Sequence, residues 1–351
     1  MEFAEFSAGA DDDGRRLDRI VRRFLPEEPL SGVYKAIRKG LVRLDGRNVP
    51  PDARVRKGAL ISVAAFLLSA QKTVAPPPAG AVPADGAPPY PVVFRNDHLI
   101  VVNKPAGIAV HGGGSSTAAT EPPMDERIAA YYRAVRSPGG SLSFTPGPLH
   151  RLDRSTSGLL AFSWSILGAR WFSRALSEHQ IRKFYLGIAR GNMERPEAWR
   201  DFITKDDAAA PAPRFCTVAV SPRPTDGGAE AATRAVPLLH GSSGGVPYTL
   251  VRYEIETGRT HQIRAQSAAH GFPLLGDSAY GGGSAAGVRL FLHAARLEFP
   301  PDNPLSLPPA LDAPPPEAFL RFLEETAPRG SLETLRNEEQ AFIMESYGQS
   351  D

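Results

Sequence analysis

Cysteine is almost absent from this sequence of 351 residues. The single cysteine, Cys216, cannot form an internal disulfide bond or a metal site built from several cysteines. We therefore expect Cys216 to be a small residue of the core or of a strand.

Long hydrophobic runs are also lacking. No apolar run approaches the roughly 18 residues that a helix needs to span a bilayer, and no apolar segment follows a basic region near the first residue. These two observations predict a cytoplasmic protein that does not use a membrane. The 33 glycines and 34 prolines imply many turns and an extended linker, which excludes a mainly helical fold.

The net charge of +2 is small, but the charge is unevenly distributed. Residues 14–64 contain 13 Lys and Arg against 5 Asp and Glu, a balance of +8, whereas the rest of the chain carries 27 against 33. Such a basic segment suits a polyanionic partner, and an ordinary solvated surface is the alternative.

Residues 1–13 are acidic and small and are predicted to be a loose tail. Two amphipathic helices are then predicted from the spacing of their apolar residues, the first with Leu17 and Ile20 and the second with Val33 and Ile37. Short strands should follow, one at 42–44 and another over 55–63, the latter interrupted by Lys57-Gly58.

This order, from Arg16-Leu17-Asp18 through Arg38-Lys39-Gly40 to Asp45-Gly46, resembles the S4 RNA-binding domain. The resemblance implies an S4-like domain over residues 14–69 that binds structured RNA through its basic helices. The RNA-binding residues that we expect there are Arg19, Lys35, Arg38, Lys39 and Arg43.

Residues 70–90 are rich in Pro, Ala and Gly and are predicted to be a semi-extended linker. Strands alternate with fewer helices beyond it, so a mixed α+β domain is predicted over residues 91–325, with a C-terminal tail at 326–351.

Asp153 lies between two arginines, in the segment His150-Arg151-Leu152-Asp153-Arg154-Ser155-Thr156-Ser157-Gly158-Leu159-Leu160. Its small and polar residues favour a sharp loop before an apolar strand, and such a loop can present one carboxylate in a rigid pocket. An adjacent arginine favours the ionised carboxylate, which suits a nucleophile. A structural ion pair is the alternative on this pattern alone.

The complete segment resembles the signature of the RluA family of pseudouridine synthases. The resemblance implies a synthase domain with a mixed, mainly antiparallel sheet, in which Asp153 is the nucleophile. It further implies that Arg151 occupies the space that the target nucleotide leaves in the RNA helix.

Further motifs follow in the family's order. Asn103 to His111 matches its Lys-Pro-x-Gly motif, in which we interpret Lys104 and His111 as framework or RNA contacts. Arg182-Lys183-Phe184-Tyr185 implies that Tyr185 stacks on the flipped base and assists proton removal. Thr257 to Arg264 implies that Arg264 pairs with Asp153 and that Ile263 lines the base pocket. The block from 271 to 281 is interpreted as structural.

Two adjacent residues depart from the family's pattern, and at a third position a smaller residue than usual is found. Ala265-Gln266 stands where Val-His is usual, which puts one contact beside Arg264 in doubt. Gly187 replaces a frequent Ala, a change that should be harmless.

The implied reaction isomerises uridine to pseudouridine by breaking N1–C1′ and forming C5–C1′, so it needs no redox cofactor, and no metal is predicted. The carboxylate either attacks C1′ or starts the chemistry through the ribose. The arrangement is closest to the RluC-type branch, which implies structured RNA of the large ribosomal subunit (23S rRNA) as the partner and no obligatory protein partner. The alternatives are a synthase for tRNA or another rRNA and a noncatalytic S4-type RNA-binding protein.

A hydrolase triad of Ser155 or Ser157 with His150 and Asp153 is implausible, because these residues crowd into one segment and the Gly-x-Ser-x-Gly elbow is absent. A glycosidase would need a second placed carboxylate, and no motif supplies one.

Overall fold

The computed structural model describes residues 1–69, 87–112, 122–135, 141–205, 218–283 and 290–330. The chain divides into two compact units. Unit 1 contains residues 1–100, 111–149 and 161–172, and unit 2 contains residues 101–110, 150–160 and 173–351. The predicted linker lies outside the described residues over 70–86, as do Cys216 and the C-terminal tail from residue 331.

The first elements of the chain build much of unit 1. They are β1 (Phe3–Ser7), α1 (Leu17–Phe24), α2 (Leu30–Arg38), β2 (Val42–Leu44), β3 (Leu60–Ala64), α3 (Ala65–Ser69) and β4 (Val92–Arg95). The next ones are β5 (Leu99–Lys104), α4 (Met124–Val135), β6 (Ser157–Ser163) and α5 (Ile166–Ser177). Of these, β5, β6 and α5 contain residues of both units.

Both predicted helices of the basic segment are present in unit 1. Leu17, Ile20 and Val21 of α1 are fully buried, because apolar residues at helical spacing face one core. Gly40 follows α2 with a positive φ of 71°, a conformation that favours glycine and ends the helix. The predicted strand over 55–63 is shorter in the structure, since β3 begins at Leu60, after the turn at Gly58.

The predicted loose tail at residues 1–13 is wrong. Residues 3–7 form β1, which pairs antiparallel with β3 in the three-stranded sheet β1-β3-β2. Phe6 packs against Phe24 with ring centroids 4.4 Å apart, and the Asp12 side chain is completely buried. Local composition concealed this, because the strand that pairs with β1 lies far along the chain.

The remaining elements belong to unit 2. They are β7 (Arg182–Arg190), β8 (Glu197–Lys205), β9 (Val218–Ser221), β10 (Ala229–Ser243), β11 (Val246–Ile255), α6 (Gln262–Ala269), β12 (Leu292–Glu298), β13 (Ala310–Asp312) and α7 (Glu317–Thr326).

The sheet of unit 2 is mixed and mainly antiparallel, as predicted from the sequence. Its strands follow the order β12-β7-β11-β10-β8-β9, and all these pairs are antiparallel. The first residues of β6 pair with β12 in parallel, Ser157 opposite His293 and Gly158 opposite Ala294. Apolar residues of α7, among them Phe319 and Phe322, pack on Phe291 and Tyr248 and cover part of the sheet.

Gly158 is required where β6 meets β12. Its φ is +114°, and a Cβ atom there would lie 2.5 Å from the backbone nitrogen of Ala294. Only glycine allows both the backbone conformation and the close approach. The strand that follows the Asp153 loop is thereby fixed against β12.

Candidate active site

The loop before β6 presents Asp153 at the surface of a cavity. Leu152 is buried and anchors the loop, whereas Arg151 is exposed. The backbone N–H of Thr156 donates to the carbonyl of Asp153 over 3.1 Å and closes a tight turn. The Asp153 side chain remains 15% exposed, so its carboxylate is held by the protein and still accessible.

Lys104 holds this loop from below with a buried ammonium group. Its Nζ donates to the carbonyl oxygens of Thr156 at 2.7 Å, Pro105 at 3.0 Å and Arg154 at 3.1 Å. Burial lowers the pKa of Lys104 to about 8, although the charge of Asp153 opposes this shift. All three donors of the ammonium therefore serve the backbone, and Lys104 belongs to the framework.

Arg264 joins two carboxylates. Its Nη1 lies 3.3 Å from Oδ2 of Asp153, as the family resemblance implied. Its Nε and Nη2 donate to both oxygens of Asp277 over 2.7 and 2.9 Å. The side chain of Asp277 is only 1% exposed, so this bidentate pair is buried and fixes the guanidinium plane.

Burial lowers the pKa of Arg264, but the hydrogen bonds and negative charge of Asp277, together with the charge of Asp153, raise this pKa above its usual value. Arg264 is therefore a permanent cation. The role of Asp277 in the site was not predicted from the sequence, because residues 271–281 were interpreted as structural. The signal was available in the Gly-Asp-x-x-Tyr pattern at 276–280.

His261 forms a second contact with the carboxylate of Asp153, and Tyr280 contacts His261. The Nε2 atom of His261 lies 3.7 Å from Oδ2 of Asp153, and its Nδ1 atom lies 2.9 Å from the hydroxyl of Tyr280. The guanidinium of Arg264 lies over the Tyr280 ring, 5.1 Å from its centroid. Neither His261 nor Tyr280 was predicted to belong to the site.

A cavity of about 60 Å³ opens beside Asp153. All five catalytic-domain residues that were predicted for the site line it, namely Arg151, Asp153, Tyr185, Ile263 and Arg264. Tyr185 and Ile263 are buried and supply apolar surface. The cavity therefore offers a flat aromatic side chain, an aliphatic wall and a carboxylate paired with a cation.

Tyr185 keeps its proton at neutral pH. Burial raises the pKa of its phenol, and the negative charge of Asp153 raises it further. A phenol in this state offers a neutral ring for stacking and a hydroxyl that donates, whereas a base needs an oxygen without its proton. Stacking on the base and help in proton removal both stay predictions for Tyr185.

Gln266, one of the two adjacent residues that depart from the family's pattern, anchors α6 to the sheet. Gln266 is fully buried, and its amide donates to Oδ2 of Asp201 over 2.6 Å and accepts from the hydroxyl of Thr233 over 2.7 Å. These bonds connect α6 with β8 and β10. Gln266 therefore holds in place the helix that also bears Arg264.

Gly187 likewise fits its neighbours. A Cβ atom at this position would lie 2.9 Å from the ring of Tyr253 and 3.2 Å from the side chain of Leu274. The large ring of Tyr253 occupies the space that a side chain would need, so the strand remains well packed.

The hydrolase alternative finds no support in the geometry of the serines. Ser157 does contact a histidine, but this is His293, with Nδ1 at 2.9 Å from the serine hydroxyl. Both side chains are buried, and Nε2 of His293 donates to the carbonyl of Ala313. The pair fastens β6 to β12 and is inaccessible to a substrate.

The RNA-binding residues predicted in the basic segment belong to unit 1 and do not line the cavity. All five are exposed. Arg19 lies on α1, Lys35 and Arg38 lie on α2, Lys39 follows α2 directly, and Arg43 lies on β2. Their function stays a prediction, as does the S4-like character of the segment.

Within the ranges that the structure describes, no three side chains of His, Cys, Asp or Glu come together in a way that could hold a metal ion. In the same ranges, no helix is long and apolar enough to cross a membrane.

Comparison with known proteins connects this geometry with a reaction. Residues 98–269 match the family model described as RNA pseudouridylate synthase. The matched range contains the loop of Asp153, Tyr185 and the helix that bears Arg264. This chain contains an RNA pseudouridylate synthase domain.

Relatives of this synthase match it over most of their length. Ribosomal large subunit pseudouridine synthase C of Escherichia coli O6:H1 is 29% identical over 305 residues, which cover 83% of this chain and 86% of the relative. The protein of the same name from Vibrio cholerae is 29% identical over 300 residues, 82% of this chain and 87% of the relative.

Solved structures show the same fold. Human RNA Pseudouridylate Synthase Domain Containing 1 aligns with a TM-score of 0.52 at 24% identity, covering 70% of this chain and 94% of the human one. Human RNA Pseudouridylate Synthase Domain Containing 4 aligns with the same TM-score at 22% identity, covering 67% and 92%. The α+β fold and the pseudouridine synthase activity predicted from the sequence are thus confirmed.

Proposed function

We propose that this synthase isomerises uridines in large-subunit ribosomal RNA and that Asp153 is its nucleophile. The observation that carries the proposal is the convergence of Asp153, Arg264, Tyr185 and Ile263 on one cavity. The relatives named as ribosomal large subunit synthases support the choice of RNA.

The reaction needs one nucleophile and a pocket for the base. The glycosidic bond N1–C1′ breaks, the uracil turns, C5 forms the new bond to C1′, and the proton on C5 is exchanged for one on N1. No atom or electron is gained or lost overall. A carboxylate held by Arg264 is suited to this task, because it can add and then leave again.

Each lining residue has a function in this scheme. Tyr185 stacks on the uracil after the nucleotide has left the RNA helix, and Ile263 packs against the base from the side. Arg151 is exposed at the rim, where its long side chain fills the vacated space in the RNA. Unstacking the nucleotide costs a few kcal/mol, which these contacts offset.

The nucleophile is tested by incubating the purified full chain with unmodified transcripts of large-subunit rRNA and of tRNA, followed by chemical mapping of pseudouridine. Asp153→Ala and Asp153→Asn should form no product in either RNA, while the exposed control Asp226→Ala should match the wild type. Product from Asp153→Ala would refute the nucleophile. Product in tRNA alone would refute the proposed target.

We further propose that the basic segment of unit 1 is an S4-like RNA-binding module. Its exposed cations on α1 and α2 can bind phosphates, and such binding releases counterions from the RNA. Replacing Arg38 and Lys39 by Gln should weaken RNA binding. It should also reduce the slope of log affinity against log salt by about 0.7 to 0.9 for each phosphate that these side chains neutralise.

The matched control for this test is the exchange Arg38→Lys with Lys39→Arg, which keeps both charges and should keep the slope. An unchanged slope in the Gln variant would refute the role of these two residues. We place the reaction in the cytoplasm, where ribosomal RNA is available, and assign it no obligatory protein partner.

A further inference from the structure

The backbone of His261 adopts a conformation that residues other than glycine seldom use. Its φ and ψ are 55° and 20°, in the left-handed region, at the residue that precedes α6. Such a conformation costs free energy for a residue with a side chain, and it persists only where the surroundings hold it. Here it directs the imidazole ring to lie between Asp153 and Tyr280.

The hydroxyl of Tyr280 lies where it can select which nitrogen of His261 carries a proton. The backbone N–H of Val218 donates to the Tyr280 oxygen over 3.0 Å, and a backbone amide can act only as a donor. The single proton of the phenol is then free to point at Nδ1 of His261, 2.9 Å away. When the phenol donates to Nδ1 in this way, a neutral imidazole carries its proton on Nε2.

The charges around the ring are balanced, and burial favours the neutral form. Burial lowers the pKa of His261, Arg264 and Arg151 lower it further, and Asp153 and Asp277 act in the opposite direction. The net shift is downward. The ring therefore presents one N–H, on Nε2, toward the carboxylate of Asp153.

Both contacts with the Asp153 carboxylate fall on the same oxygen. Nη1 of Arg264 lies 3.3 Å and Nε2 of His261 lies 3.7 Å from Oδ2. Oδ1 receives no hydrogen bond from the described part of the chain. A separation of 3.7 Å is too long for a hydrogen bond, but contacts of this kind shorten when a substrate closes the site.

We propose that His261, fixed in its Nε2–H form by Tyr280, is a positioning residue that restrains Oδ2 of Asp153 together with Arg264 and leaves Oδ1 as the reacting oxygen. This inference rests on the proposed function of Asp153 as the nucleophile. In this proposal Tyr280 acts by fixing the tautomer of His261, and it does not contact the substrate.

The tautomer can be measured without any RNA. In the full chain labelled with ¹⁵N-histidine, the His261 signals are those missing from His261→Gln, and their long-range correlations show which nitrogen is protonated. We expect an Nε2–H imidazole in the wild type and a substantial Nδ1–H population in Tyr280→Phe. Tyr248→Phe, which removes a hydroxyl bonded to Thr326 instead, should leave the signals unchanged.

An Nδ1–H form of His261 in the wild type would overturn the proposal. An unchanged tautomer in Tyr280→Phe would overturn the part of Tyr280. The melting temperature of each variant shows whether it is folded.

Two substitutions of His261 separate positioning from backbone structure. The amide nitrogen of Gln can take the place of Nε2, whereas that of Asn lies nearer to Nδ1. Asn tolerates the left-handed conformation better than Gln, so a purely structural function predicts that His261→Asn is the more active variant. The positioning function predicts the reverse order.

The rates are measured in single turnovers at saturating rRNA. His261→Asn should be about ten- to a hundredfold slower than the wild type, the loss expected for one hydrogen bond to a charged group. His261→Gln should be the faster variant of the two, and the Kd for rRNA should change less than twofold in both. Equal rates, or a faster Asn variant, would overturn the proposal.

The same measurements distinguish failure of the positioning function from failure of the proposed function. Failure of the wild type to modify rRNA, or activity in Asp153→Ala, would sink the proposed function. The positioning function alone would fail if the wild type is active, Asp153→Ala is inactive, and His261→Asn is as fast as His261→Gln or faster.

Discussion

Asp277 does not line the cavity, yet its removal should damage both stability and chemistry. Its carboxylate accepts two hydrogen bonds from Arg264, over 2.7 and 2.9 Å, and its side chain is 1% exposed. Removing one partner of a buried ion pair costs about 3–5 kcal/mol of unfolding free energy. Arg264 keeps Asp153 and the ring of Tyr280 as neighbours. The loss of unfolding free energy in Asp277→Ala should therefore lie near the lower end of this range, at about 3 kcal/mol.

The catalytic effect follows from the loss of geometry. Without Asp277 the guanidinium of Arg264 can turn toward Asp153, and a displacement of about 1 Å at a reacting group can reduce the rate roughly 10²-fold. Asp277→Asn retains the shape and one acceptor oxygen, so both of its losses should be smaller. Unfolding in urea and single-turnover formation of pseudouridine measure the two quantities.

An exposed ion pair serves as the matched control. Glu254 and Arg182 approach to 2.8 Å, but the Arg182 side chain is 48% exposed. Water and salt screen such a pair, so Glu254→Ala should cost less than about 1 kcal/mol and should not change the rate. A loss of less than about 1 kcal/mol in Asp277→Ala, or a rate within about twofold of the wild type, would refute the function given to this carboxylate.

Buried polar groups elsewhere in the chain provide three more tests. Lys104→Met should lower the unfolding free energy by about 2–4 kcal/mol in urea titrations and slow catalysis, because three carbonyls are deprived of their donor. Arg195→Met, at an exposed position outside the basic segment, should keep the wild-type rate. Burial lowers the pKa of His293 to about 4, so the unfolded state binds a proton at a higher pH than the folded state does. The free energy of unfolding should therefore fall by up to about 3 kcal/mol as pH drops from 6.5 toward 4. His293→Gln should show a smaller fall. Asp12→Ala should lower the melting temperature by several degrees, whereas exposed Asp52→Ala should not, because Asp12 accepts five hydrogen bonds in a fully buried position.

Local patterns carried the prediction of the helices and of the main site residues. The apolar spacing in α1 predicted which residues are buried, since a helix places such residues on one face. The loop at 150–156, the strand of Tyr185 and the turn before Arg264 each have a short-range signature. Resemblance to a family then assigned the chemistry that no single segment could reveal.

Contacts between distant segments could not be predicted in this way. β1 depends on a strand far along the chain, and Asp12 on donors at 141–143. Gln266 appeared to be a departure from a pattern, but it finds Asp201 and Thr233 across the sheet. In each case the partner is chosen by packing and by the need to satisfy buried polar groups.

The sequence by itself determined that this protein has Asp153 in a synthase motif and which cationic and aromatic residues accompany it. Only the tertiary structure decided how that carboxylate is held. Asp277 fixes Arg264, and the unusual backbone of His261 directs a second nitrogen at the same oxygen of Asp153. The physical reason is that hydrogen bonds and charge pairs depend on distances and angles of a few tenths of an ångström and a few degrees, and these arise only when distant segments fold together.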